Sequence, residues 1–261
     1  MVDLQLSERT ALVTGGSRGI GLAIVRALVR EGARVVAAAR TITPELKASG
    51  AVPVAVDLTS ADGCERLVDD ALGALGGLDV LVNNAGGGDT YATDGFLATD
   101  DEVWRRSWEL NFFAPVRMVR AALPALMERR GTVINISSVG AHMPGRGPVD
   151  YSTAKAALGA LGKALSEEFG PHGVRVNTVT PGPTRTGLYE DPDGYAARRA
   201  RQRGVPHADY LARVPQGMGM TSGRLVEPEE VADLVAFLAS GRASSVMGAD
   251  YVIDGGALKA L

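Results

Sequence analysis

Short apolar runs alternate with longer amphipathic stretches along most of the chain. Residues 11–13, 34–39, 52–56, 80–82, 133–136, 174–179 and 251–253 read as strands. Between them, residues 22–30 form a helical pattern ended by Gly32. Residues 61–75 form another, broken by Gly76 and Gly77. Residues 101–127 and 151–169 also read as helix, as does a segment opened by Pro228 and Glu229 over 231–238. Several strands are apolar at every position, which suits a parallel sheet covered by helices on both faces. The pattern predicts one α/β domain over residues 1–261, a doubly wound parallel sheet. Residues 187–224 show no strong apolar periodicity, so the stretch from about 184 to 226 is expected to form a lid beside a strand's carboxyl end.

Composition narrows the classes. Hydrophobic residues are 46% and charged residues 22%, enough for a large core, and the net charge of −3 argues against general nucleic-acid affinity. Cys64 is the only cysteine, so no intrachain disulfide is possible, and no metal-ligand cluster is evident. No basic start leads into an apolar segment and no run reaches membrane-spanning length, so a cytoplasmic protein without membrane partners is expected.

The first strand runs into Thr14-Gly15-Gly16-Ser17-Arg18-Gly19-Ile20-Gly21 and then a helix. Glycines there let backbone approach a pyrophosphate, and the helix N-terminus offers free N–H groups and a positive dipole. The loop predicts a dinucleotide site in a Rossmann-type sheet, although its spacing, Gly15-x3-Gly19-x-Gly21, departs from G-x-G-x-x-G. The second strand ends at Ala39-Arg40, where an acidic residue would select NAD(H). Arg40 and Arg18 instead suit a 2′-phosphate, so NADP(H) is favoured and NAD(H) remains open. Asp57-Leu58 ends the third strand, where the carboxylate can accept from an adenine amino group. Asn84 and Gly86 follow the fourth, where small residues leave room for the cofactor and asparagine can tie adjacent loops.

Ser138 ends the fifth strand, and Tyr151 and Lys155 follow on one helix face, one turn apart. A nearby ammonium lowers a phenol pKa that starts near ~10, making Tyr151 usable as an acid or base near neutrality. Ser138 can hold a substrate oxygen beside it. Alone, these residues are equally a packed tyrosine, a solvated lysine and a loop serine. Asn111 precedes Pro115 by four residues, so the proline cannot donate to its carbonyl, which is expected to kink the helix and stay free for water.

Taken together, the Thr14–Gly21 loop, Asn83-Asn84-Ala85-Gly86, Asn111, Ser138, Tyr151-x3-Lys155 and Pro181-Gly182 resemble the short-chain dehydrogenase/reductase family over nearly the whole chain. The nearest pattern is that of ketoacyl-carrier-protein reductases and related NADPH ketoreductases. The resemblance implies that Tyr151 is the general acid in reduction, that Lys155 lowers its pKa and holds the nicotinamide ribose, and that Ser138 binds the substrate carbonyl. It further implies that the Asn111 carbonyl holds a relay water, that Asp57, Asn84 and Thr184 line the cofactor, and that subunits pair as dimers or tetramers through the helices carrying Asn111 and Tyr151. Ala154, Ala157, Gly159, Ala160 and Gly162 would allow close helix approach. Two features depart from the carrier-protein enzymes: a longer segment after Pro181-Gly182, and a short one over residues 41–51. His142, Met143 and Gly145 follow Ser138 and are expected to line a substrate pocket. The four arginines among residues 198–203 suit a carboxylate, a phosphate or an acidic carrier protein, or else a solvated helix face. The expected activity is NADPH-dependent reduction of a 3-oxoacyl or other small ketone. The alternatives are an NAD(P)-dependent alcohol, sugar or steroid dehydrogenase working in oxidation, and a non-catalytic nucleotide-binding protein.

Overall fold

A computed structural model of the protein describes residues 3–87 and 95–259; Gly88 lies outside the described residues. Seven parallel strands form one sheet in the order β3-β2-β1-β4-β5-β6-β7. The strands are β1 (Thr10–Thr14), β2 (Arg34–Ala39), β3 (Val52–Ala55), β4 (Val80–Asn83), β5 (Thr132–Ile136), β6 (Arg175–Pro181) and β7 (Asp250–Ile253). Order reverses between β1 and β4, and the crevice at the strands' carboxyl ends opens at that switch point.

The all-apolar strands are explained by two cores. Ala11 and Val13 of β1 face α1 (Gly19–Arg30) and α10 (Pro228–Ala239), whereas Leu12 faces α3 (Ala61–Leu75) and α5 (Ala114–Arg129). Cys64 lies in the second core, where burial pushes its thiol up to about 11. The segment over 41–51 is indeed short, holding one turn, α2 (Pro44–Lys47), capped by the Thr43 hydroxyl.

The helix expected over 101–127 is interrupted. It consists of α4 (Asp101–Trp108), a π turn over Glu109–Phe113, and α5. The Ala114 N–H reaches back to the Glu109 carbonyl, and Pro115, without an N–H, sits in the first turn of α5. The missing donor coincides with one widened turn.

α6 (Val149–Phe169) follows β5. Its small residues divide: Ala154 and Gly162 face inward, and a Cβ on Gly162 would lie 3.1 Å from both Asn135 Nδ2 and Thr178 Oγ1. Ala160 is exposed and Gly159 half-buried, and both line a groove between α6 and the β6–β7 side of the sheet. The segment that lacked periodicity is largely helical, as α7 (Gly187–Glu190), α8 (Tyr195–Gln202) and α9 (His207–Gly217). Its pattern was faint because α8 buries only alanines, Ala196, Ala197 and Ala200.

Asp79 ties the starts of β1 and β4. Its carboxylate accepts from the Thr10 N–H (2.9 Å), the Thr10 hydroxyl (2.8 Å) and Arg9 (2.9 Å). Burial pushes the carboxyl up, but the Thr10 and Arg9 hydrogen bonds outweigh it, so it lies below the usual carboxylate range. Asp79→Ala should therefore cost about 3 kcal/mol at neutral pH. Because the folded pKa is depressed, the contribution is present above the unfolded value near ~3.9 and lost as pH falls through the folded one. Urea unfolding of both proteins should show the gap narrowing below about pH 4.

Candidate active site

The loops after β1 and β4 are stitched together by side chains. The Thr14 hydroxyl donates to the Val82 carbonyl (3.2 Å) and accepts from the Asn84 and Ala85 N–H groups (both 3.0 Å). Asn84 Nδ2 donates to the carbonyls of Thr14 (2.9 Å) and Gly15 (3.1 Å). A Cβ on Gly21 would lie 2.1 Å from the Gly15 oxygen and 2.4 Å from Asn84 Nδ2, so only glycine lets the loop fold this tightly. No side chain caps the N-terminus of α1, whose first N–H groups are positioned for an anion at the cleft floor. A cradle of this kind fits a dinucleotide pyrophosphate.

The cleft, of about 1190 Å³, runs across the carboxyl ends of the strands. Its walls include Gly15, Ser17, Arg18, Gly19, Ile20 and Gly21 at one end, with Arg40, Asp57 and Leu58 beside them. Asp57 Oδ1 accepts from the Thr59 N–H (3.0 Å) and hydroxyl (2.9 Å). Those two bonds, with Arg40 adding to them against a small effect of burial, hold its carboxyl below the usual range. Asn84, Gly86 and Thr184 line the middle of the cleft, and Ser138, Tyr151 and Lys155 also face it.

Lys155 is buried, and its Nζ donates to the carbonyl of Ile136, the last residue of β5 (2.9 Å). The same Nζ lies 5.8 Å from the centre of the Tyr151 ring. Burial lowers the Lys155 ammonium to about 8. Ser138 is extended, and its hydroxyl accepts from the Gly140 N–H (3.1 Å), which sets the short 3-10 turn that follows. Asn111 is buried behind this surface. Its Oδ1 accepts from the Gly87 N–H (2.8 Å), and its Nδ2 donates to the Ser107 carbonyl (2.9 Å). A Cβ on Gly86 would meet Asn111 Oδ1 and Lys155 Nζ, each at 2.8 Å, so the glycine is what lets the loop pass between them.

His142 does not line the main cleft. The 3-10 turn over Val139–Ala141 carries it out of the main cleft, and its Nε2 pairs with Asp250 Oδ2 of β7 at 2.7 Å. It lines a separate cavity of about 400 Å³ against α6, whereas Met143 and Gly145 do line the main cleft. Sequence reading also missed part of the site: Ser152, and Tyr189, Tyr195 and Tyr210 on the lid side, all line the cleft. The signal was present, since three of the chain's six tyrosines fall in that stretch. Among the described residues no group of acids, histidines and cysteine is placed to hold a metal, and no helix is long and apolar enough to cross a membrane.

Fold and site together define a nucleotide-binding oxidoreductase, and comparison with known proteins agrees. Residues 15–257 match the family model described as enoyl-(acyl carrier protein) reductase. The chain belongs to the short-chain dehydrogenase/reductase family, whose named members act on CH–OH and C=O groups. It is 36% identical over 259 residues to the L-fucose dehydrogenase of Mus musculus, covering 96% of this chain and 89% of that protein. It is 34% identical over 260 residues to a 3-oxoacyl-[acyl-carrier-protein] reductase of Vibrio cholerae, covering 97% and 98%. The crystal structure of L-sorbose reductase from Gluconobacter frateurii, complexed with NADPH and L-sorbose, superposes with a TM-score of 0.90 at 33% identity, each chain covered completely.

The buried ammonium makes a stability prediction. With its folded pKa near 8 instead of 10.5, Lys155 carries a penalty on the order of 3 kcal/mol in the cofactor-free protein below pH 8. Between those values the unfolded chain binds more protons, so stability rises with pH. Lys155→Met should melt higher than the parent at pH 7, and the gap should close as pH approaches 10; thermal melts without cofactor check both.

Proposed function

We propose that the protein is a cytoplasmic, NADPH-dependent ketoreductase that converts a small ketone to a secondary alcohol. The observation that carries this reading is the convergence of Ser138, Tyr151 and Lys155 on one cleft whose far end is a glycine cradle flanked by Arg18 and Arg40. When bound, the nicotinamide supplies a hydride to the carbonyl carbon. The Ser138 hydroxyl donates to the carbonyl oxygen and orients it. The Tyr151 phenol delivers the proton that the oxygen takes up as the C=O bond becomes C–O–H. Lys155, charged below about pH 8, stabilises the phenolate left behind and offers its remaining N–H donors to the nicotinamide ribose. Asn111 is proposed to serve the proton relay toward Lys155, and its grip on Gly87 keeps the Gly86 backbone beside the ammonium.

Arg18 and Arg40 support the 2′-phosphate of NADPH, since β2 ends at Ala39 and offers no carboxylate to ribose hydroxyls. The solved relative holding NADPH and L-sorbose supports the same direction and a polyhydroxylated ketone. Oxidation of a sugar or steroid alcohol is the second reading, favoured by relatives named L-fucose dehydrogenase and 3-alpha-(or 20-beta)-hydroxysteroid dehydrogenase. Asp57, Leu58, Asn84 and Thr184 are proposed cofactor contacts. A dimer or tetramer is proposed through the α4–α5 segment that carries Asn111 and through α6, with Phe113 of the π turn 43% exposed.

Two measurements test the proposal. Tyr151→Phe should lower ketone-dependent NADPH oxidation at least a hundredfold, the scale of general acid catalysis, while NADPH still binds by fluorescence titration. Turnover comparable to the parent would sink the mechanism. Arg40→Asp should shift the NADPH-to-NADH preference toward NADH by tenfold or more, and an unchanged ratio of dissociation constants would remove Arg40 from the phosphate site.

A further inference from the structure

The substrate end of the cleft carries more positive charge than a neutral ketone needs. α8 and α9 place Arg198, Arg199, Arg203 and Arg213 on its wall. Among the described residues, Arg198, Arg203 and Arg213 have no carboxylate within ion-pair distance, although Arg185, Arg201 and Arg224 of the same segment do. Two acids share the wall, Asp191 and Asp193. Asp193, strongly exposed, lies 3.8 Å from Arg201, which does not line the cleft, so the wall's arginines outnumber its acids.

A row of phenols connects these guanidiniums to the reaction centre. Tyr189, Tyr195 and Tyr210 line the same cleft as Tyr151, and burial pushes the Tyr189 hydroxyl above its ordinary range. The Tyr189 and Tyr195 rings meet edge to face at 6.4 Å. Tyr195 feels both Arg199 and Arg203, and the Arg203 guanidinium stacks 5.4 Å from the centre of the Tyr210 ring. Arg18 and Arg40 already serve the cofactor end, so these arginines face what enters from the lid side.

We infer that the substrate of this site is a carbonyl compound bearing an anionic group, a carboxylate or a phosphate monoester, at the end away from the ketone, held by Arg203 and Arg213 with Arg198 and Arg199 beside them. Planar guanidiniums match the oxygens of either anion, and the tyrosines supply hydroxyl donors between charge and carbonyl. This rests on the ketoreductase reading for the carbonyl and not for the anion.

The test uses matched six-carbon compounds. Kinetics with NADPH compare 5-ketogluconate with L-sorbose, and fructose 6-phosphate with D-fructose. Calorimetry on the NADPH-loaded protein, in which a polyol cannot be oxidised, compares gluconate and sorbitol 6-phosphate with sorbitol. At least one anion should bind or turn over tenfold better than its neutral partner, which tells carboxylate from phosphate. The preference should shrink in 0.5 M salt (a concentration of about that size suffices) and fall at least tenfold in the Arg203→Ala/Arg213→Ala double variant, with thermal melts confirming its fold. Equal binding of gluconate, sorbitol 6-phosphate and sorbitol by the unaltered protein overturns the inference. So does a double variant that loses NADPH affinity while keeping the ketone ratio. Anion preference in calorimetry without turnover of any ketone leaves the subsite standing and removes the reductase reading instead.

Discussion

The hydrogen bond from Lys155 to the last carbonyl of β5 is the constraint on which the site depends. It joins a helix face to a strand end, and everything that has to meet in the cleft is measured from that joint. Tyr151 is one turn earlier on α6, Ser138 two residues beyond Ile136, and Gly86 passes against the ammonium on its way out of β4. Holding the ammonium there requires burying a charge, which favours its neutral form and works against the folded state. Burial at this position makes sense as the condition for a strong local field next to a phenol, where water would otherwise screen it.

The fold was legible because its signals are local and agree. Apolar runs of strand length alternate with helical stretches, and residues on opposite sides of the central strands β1, β2, β4, β5 and β6 face two cores, whereas β3 and β7 at the edges are partly exposed. The glycine loop was legible for the same reason, with one addition: the tolerance at Gly21 is so small that no other residue closes the turn. Of the site, the residues picked out in sequence were those set by a helix period or a strand end. Tyr151, Lys155, Ser138, Arg40 and Asp57 all face one cleft.

What sequence did not reveal depended on contacts distant along the chain or on departures from ideal geometry. His142 was placed by nearness to Ser138, but a single 3-10 turn sends it to Asp250, more than a hundred residues away. The lid helices escaped notice because alanine is a weak hydrophobic marker, and it is alanine that α8 buries. Pro115 did announce an irregularity beside Asn111, though the form it took, a widened turn with the Asn111 side chain turned back onto Gly87, follows from packing.

That widened turn carries a consequence for how the chain can change. A π turn holds one residue more than the regular helix around it, so it amounts to an insertion accommodated inside a helix. Deleting a single residue between Glu109 and Phe113 would let the backbone return to ordinary spacing with both flanks nearly in phase, because the widened turn already absorbs the extra residue. The displacement would fall on the turn itself, and Asn111, which sits inside it, would lose its place against Gly87. The change that makes the helix most regular is thus the one that frees the loop after β4 from its anchor.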